Sequence, residues 1–192
     1  MSNFYLLIFN TPWAGPVARR ISGPDMDLSL GKPASFPDVE PFEYVLKVQK
    51  GQDPQKFPPL DYHLKGGQPL FSAHLRKALA KAGIDNIQYF PAKVTYEPTG
   101  QACDYQVANV LGVAKALDVK ASGCTFSPYS GAVSDFQRIV LDEDKIQHLE
   151  FFRLYESLGF IIISKRVAEI LKDANISAPL IIEPSEWQPG MW

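Results

Sequence analysis

SKRVAEILKDANISAPLIIEP, residues 164–184, has an earlier counterpart in SAHLRKALAKAGIDNIQYFP, residues 72–91. With the two serines aligned, Leu75, Ala78, Leu79 and Ala82 fall on Val167, Ile170, Leu171 and Ala174, and Ile84 falls on Ile176. Apolar residues at i, i+3, i+4 and i+7 mark one face of a helix. Each serine stands where an N-cap belongs, its hydroxyl available to the free N–H groups of the first turn. Gly83 and Asn175 stand near the two helix ends, and both residue types tolerate a left-handed backbone. A short apolar run and a proline follow in each copy. Each reads as a helix of about three turns feeding a strand. Two copies are too few for a solenoid, so the repetition speaks to architecture and not to function.

Around these units the chain offers strands. They are FYLLIF at 4–9, FEYVLKV at 42–48, IQYFPAKVTYEP at 87–98, DYQVANVLGV at 104–113 and GFIIIS at 159–164. Residues 136–154 carry apolar residues on either side of Asp142, Glu143, Asp144 and Lys145, which reads as a hairpin with an acidic tip. The expectation is an α+β fold: a mainly antiparallel sheet with two short helices in similar helix-strand units. Ten of the sixteen prolines lie between Thr11 and Pro69, among Trp13, Phe36, Phe42, Tyr44, Phe57 and Tyr62. Prolines there break regular structure while the aromatics resist disorder. Within a single domain of residues 1–192, residues 1–70 therefore read as an ordered, proline-rich wrapping segment around a core at 71–192.

With 192 residues, 46% hydrophobic and 21% charged, the chain matches ordinary globular proteins. A net charge of −2 argues against nucleic acid as a partner. The opening MSNFYLLIFN lacks a basic region and its apolar run is too short for a signal core or a membrane span. Cys103 and Cys124 alone make no disulfide framework, so a cytoplasmic location is expected. The NIS acceptor pattern at Asn175 has no consequence without secretion.

Chemistry is sparse. His63, His74 and His148 lie far apart in sequence with no metal-ligand spacing, and the two cysteines complete no zinc set. No nucleophile elbow, phosphate-binding loop or dinucleotide fingerprint occurs, and Gly66-Gly67 reads as a turn. Cys124 with His148 as its base has no local support. No catalytic residue, metal or cofactor is expected, and weight moves to binding. Asp142, Glu143 and Asp144 read either as a solvated turn or as a partner-binding projection. Trp187 and Trp192, in the closing EWQPGMW, are either interface anchors or domain-edge and terminal residues. Asn109, Asp118, Ser122 and Arg153 sit beside apolar runs as a buried polar set with a structural role.

The succession YQVANVLGVAKALDVKASG, IVLDEDKIQHLEFFRL and FIIISKRVAEILKDANISAPLIIEP resembles a family of bacterial polymorphic-toxin immunity proteins, the eleventh in the usual catalogue, formerly a domain of unknown function. The likeness rests on Asn109, Asp118, Ser122, the Phe152-Arg153 pair and Ser164, and covers residues 105–184. The unit around Ser72 is similar to the family's weaker first copy. The resemblance implies a small cytoplasmic protein that binds a cognate toxin and blocks it without catalysis. Two other readings stand beside it: a non-catalytic interaction module of another pathway, and an enzyme with a pocket near Asp118, Ser122 and Arg153.

Overall fold

The computed structural model describes residues 2–9, 15–36, 40–65 and 68–191. In chain order the elements are β1 (Phe4–Phe9), β2 (Val17–Ser22), β3 (Phe42–Lys47), β4 (Tyr62–Lys65), β5 (Gln68–Ser72), α1 (Ala73–Lys81), β6 (Ile87–Tyr96), β7 (Gln101–Cys103) and β8 (Tyr105–Val110). After them come β9 (Val113–Ala114), β10 (Thr125–Phe126), β11 (Val133–Asp135), β12 (Phe151–Leu154), β13 (Ser157–Ser164), α2 (Lys165–Asp173) and β14 (Pro179–Ile182). The fold is α+β, with mostly antiparallel strands and two short helices, as expected. The strands form two large sheets instead of one. A five-stranded sheet runs β14-β1-β13-β12-β9, and a seven-stranded sheet runs β2-β3-β6-β8-β5-β4 with β7 added beside β6.

The two helix units are one structure built twice. Each begins with an antiparallel hairpin, β4-β5 or β12-β13, whose second strand ends on the capping serine. Ser72 Oγ accepts from Leu75 N and Ser164 Oγ from Val167 N. The strand after each helix returns parallel to the strand before it, leaving room for one antiparallel strand between them. In the first unit β8 fills that place, and in the second β1 does. Ser72 pairs with Tyr105 as Ser164 pairs with Phe4, and Ile87 pairs with Val110 as Pro179 pairs with Phe9. The helix ends match too: Ile84 N donates to Leu79 O and Ile176 N to Leu171 O, across Gly83 (φ +74°) and Asn175 (φ +53°).

The helices pack against each other and against one face of both sheets. Leu75, Leu79, Val167 and Leu171 share a core with Phe71, Ala108, Leu7 and Ile163. The other face of the five-stranded sheet, with Leu6, Phe152 and Ile162, is covered by Leu117, Phe136, Ile139, Ile146 and Trp187. The seven-stranded sheet curls so that β2 approaches β4, enclosing Phe42, Tyr44, Leu46, Phe90, Val94 and Val107. Among the described residues no helix is long and apolar enough to cross a membrane.

Two expectations change. Residues 136–154 are not a hairpin with an acidic tip: β12 pairs with β13, and residues 143–145 form a single 3-10 turn. Phe136 and Ile139, and Ile146 and Leu149, are spaced by three rather than two, so they plug a sheet face one at a time instead of lining a strand. Nor is the segment 1–70 chiefly a wrapping. It supplies β1 at the interior of one sheet and β3, β4 and β5 in the other. What does wrap is the stretch 23–36, an extended strap held almost entirely by side chains. Arg20 donates to Gly23 O and Pro24 O, Gln68 to Met26 O, Arg153 to Leu28 O, Asn109 to Lys32 O and Gln88 to Ala34 O. One backbone contact, Gly112 N to Gly31 O, brings the strap so near β9 that a Cβ on Gly31 would lie 2.3 Å from Val113. A second loop is held in the same manner, with Tyr96 Oη donating to Pro54 O and Phe57 O and Tyr105 Oη to Leu60 O. Extended chain leaves its carbonyls unpaired, and the sheets supply the missing donors.

Candidate partner-binding site

Glu143, the middle residue of the acidic stretch Asp142, Glu143 and Asp144, lines a groove of about 500 Å³ between the start of β1 and the first turn of α2. Its lining includes Phe4, Glu143, His148, Glu150, Lys165 and Arg166. The sequence places them there through two short-range devices: the Ser164 cap turns the chain from β13 into α2 and presents Lys165 and Arg166, and the 3-10 turn presents Glu143.

The carboxylates of this edge and Arg166 each have a partner. Glu143 accepts from Ser2 Oγ at 2.9 Å, Asn3 N at 3.3 Å and Asn3 Nδ2 at 2.8 Å, which ties the acidic turn to the start of β1. Asp142 pairs with Lys145 at 2.7 Å, and Asp144 accepts from Gln147 Nε2 at 3.0 Å. Arg166 donates from Nε and Nη2 to Glu150, and from Nη2 to Ala82 O at 2.7 Å. The Arg166 hydrogen bond, somewhat opposed by burial, holds the Glu150 carboxyl below the usual carboxylate range. Asp142 raises the Lys145 ammonium above its ordinary value, with smaller contributions from Glu156 and Asp118. The result is an ordered, charged edge, suited to recognising a complementary surface. Among the described residues no three His, Cys, Asp or Glu side chains gather as metal ligands.

The other sequence-predicted residues fall elsewhere. Trp187 is 3% exposed and packs with Phe136 and Phe160 at centroid distances of 5.1 and 5.6 Å, so it is a core residue and offers no anchor to a partner. Trp192 lies outside the described residues, as do Trp13 and the Gly66-Gly67 pair. Asn109, Asp118, Ser122 and Arg153 do not form one polar set. Asn109 and Arg153, both buried, hold the strap at Lys32 O and Leu28 O. Asp118 is exposed and accepts from Ala121 N in its own turn. Buried Ser122 accepts from Val140 N through its hydroxyl and from Gln137 N and Arg138 N through its carbonyl. The pocket imagined near Asp118, Ser122 and Arg153 is not assembled: the Arg153 Nη groups turn to Leu158 O and Leu28 O, while Asp118 and Ser122 bond within the turns at 118–122 and 137–140.

Sequence reasoning missed the groove residues Glu150, Lys165 and Arg166. The available signal was the repeat itself: in the alignment of the two units Arg166 stands where His74 stands, and His74 Nδ1 lies 3.3 Å from Asp61 Oδ2 as Arg166 lies against Glu150. A basic residue two places past the capping serine meets an acidic residue just before the hairpin in both copies.

Residues 13–179, most of the chain, match the family model described as Immunity protein family (Imm11), a span that takes in the first helix unit and α2 of the second. Among curated proteins the chain finds no match.

Proposed function

We propose that this chain, which belongs to the Immunity protein family (Imm11), neutralises a cognate bacterial toxin by binding and occluding it, without catalysis of its own. The observation that carries this reading is the acidic turn at the groove rim, fixed from both sides before any partner arrives. A preorganised surface loses little entropy on association. The partner that suits it is basic at the point of contact, as a toxin acting on nucleic acid is in its cleft. We place the protein in the cytoplasm, where its two unpaired thiols, Cys103 and Cys124, remain reduced.

Glu143 holds the start of β1, so it is left untouched in the test, and Asp142 and Asp144 are replaced by Asn. Cells expressing the toxin encoded beside this chain's gene should lose protection with the double variant, while the purified variant melts like wild type. Association should slow and become less salt-sensitive, because exposed charges act mainly on the rate of encounter. Wild-type protection by the double variant would remove the acidic turn from the interface. Failure of the wild-type chain to bind that toxin would remove the whole reading.

A further inference from the structure

The strands β10 and β11 join neither large sheet. They form a separate ribbon in which Thr125 pairs with Asp135 and Phe126 with Val133. An isolated two-stranded ribbon is marginal in water, so its order must come from its root and its tip. At the root, Cys124 packs on the core behind the five-stranded sheet, Phe136 is buried against Trp187, and the Ser122 carbonyl clamps Gln137 N and Arg138 N; Val133, opposite Phe126, packs on the same core. At the tip, Ser127 N donates to Ala132 O and Gly131 N to Ser127 O, each at 2.9 Å, with Gly131 at φ +67°. Ser127 Oγ accepts from Tyr129 N and Ser130 N at 3.3 Å.

This fixed turn holds Tyr129 almost wholly in water, at 98% exposure, with Phe126 half-exposed beside it. An isolated chain gains nothing by ordering a loop to display an aromatic ring that buries no surface, whereas a buried tyrosine contributes heavily to an interface. The composition points the same way. From Ala121 to Gln137 the sequence ASGCTFSPYSGAVSDFQ carries one charge, Asp135, and is rich in Ser, Gly and aromatics. Binding loops favour that mixture: tyrosine supplies rigid contact area at small entropy cost, and serine and glycine supply adaptable hydrogen bonding.

We propose that the 125–135 ribbon is a finger whose Tyr129 ring enters an uncharged, concave pocket of the cognate toxin. The claim rests on the immunity reading and extends it to a second contact, distinct in chemistry from the acidic turn. An uncharged tip fits an uncharged pocket, since a charged one would be desolvated without a counter-charge.

The test uses the full chain and the purified toxin encoded beside its gene, with binding measured by calorimetry and oligomeric state by light scattering. Tyr129→Ala should weaken binding by about thirtyfold or more, the scale of an interface hot spot. Tyr129→Phe should recover most of that loss, and both variants should melt with wild type, since the ring is almost wholly exposed in the free chain. Undiminished binding by Tyr129→Ala, with wild type binding well, overturns the finger and leaves the immunity reading standing. Loss of a wild-type dimer in Tyr129→Ala would also overturn it, by making the finger a contact between copies of this chain. No binding by wild type overturns both.

Discussion

Asp61 and Ser177 hold one another reciprocally: Ser177 donates its hydroxyl and its backbone N–H to Asp61 Oδ2, and its hydroxyl oxygen accepts from Asp61 N, each at 2.9 Å. Asp61 lies just before the first unit's hairpin and Ser177 just after the second unit's helix, so the clasp joins the two copies. At the related place the second copy uses another solution, in which Glu150 holds Arg166 and Arg166 reaches Ala82 O after the first helix.

Ser177→Ala should therefore cost more than an ordinary surface substitution. It removes two hydrogen bonds and leaves Asp61 N without its acceptor, a loss of about 1–3 kcal/mol. Denaturant midpoints of Ser177→Ala and of Ser134→Ala, on the exposed ribbon, provide the comparison. Equal midpoints would mean the clasp is not structural.

Stability should fall with acid in two stages. His63 is fully buried between the rings of Phe9 and Tyr105, and burial pushes its pKa down to about 4, with the Asp61 charge opposing. Between about pH 6.5 and 4 the unfolded chain takes up a proton that the folded one refuses, so stability declines by up to roughly 3 kcal/mol across that window. At lower pH Asp61 adds to the loss. Burial raises its carboxyl, but Ser177, Ser72 and His74 more than offset this and leave it depressed. Its contribution is present above the unfolded carboxylate pKa and is lost as pH falls through the folded value. His63→Phe should flatten the first stage and leave the second, which urea titrations at pH 7, 5 and 3 distinguish.

Much of this fold was legible in the sequence, and the parts that were not share a physical cause. The helix units were readable because their caps and 3.6-residue spacing are local. That β1 would serve the second unit as β8 serves the first was not readable, since long-range pairing leaves no local mark. Residues 136–149 misled because Phe136, Ile139 and Ile146 are apolar and buried without being in strands. Asn109 and Arg153 were recognised as buried polar residues, but their partners are strap carbonyls, which any residue type supplies. Tyr129 went unread because exposure belongs to the ribbon's position and not to its composition alone.

The loop after α2 contains a local conflict. Ala178 sits at φ +81°, a backbone region where a Cβ is strained, whereas Asn175 at φ +53° is a tolerated type there. Ala178→Gly should relieve the strain and raise stability by about 0.5–1 kcal/mol, net of the greater freedom of glycine in the unfolded chain. Asn175→Gly should change little. A fall in melting temperature for Ala178→Gly would show that the backbone is not held in this conformation in solution.

Arg153, 2% exposed, has no carboxylate bonded to it among the described residues; it donates to Leu158 O at 2.8 Å and Leu28 O at 3.2 Å. Arg153→Met keeps much of the volume and removes the donors. It should free the strap while the sheets persist, because most strap contacts are side-chain bonds of this kind. Hydrogen exchange should then accelerate at residues 24–34 more than in β13. Arg76→Ala, whose guanidinium reaches Asp104 and Gln106 near the surface, is the control and should leave strap exchange unchanged. Uniform acceleration throughout the chain would make Arg153 a general core residue and not the holder of the strap.

The equivalence of the two units makes a stronger prediction about connectivity. In the first unit β6 runs to β8 through β7, so the two paired strands are covalent neighbours. In the second unit β14 and β1 pair in the matching register, Ile182 opposite Leu6, although they lie at opposite ends of the order of elements. If register is set by the sheets and not by the links, the covalent connection can be exchanged between the units. A permuted chain that joins residue 191 to residue 2 through a flexible linker of about ten residues, and opens at the exposed turn between Thr99 and Gly100, gives β14-β1 the link and takes it from β6-β8. It should fold to the same circular-dichroism spectrum. It should unfold in one transition within about 2 kcal/mol of the parent, because loop-closure cost grows only slowly with loop length. A permuted chain that stays unfolded, while an otherwise identical linker insertion at Gly100 is tolerated, would show that the β6-β8 link is needed to set the register of the first unit.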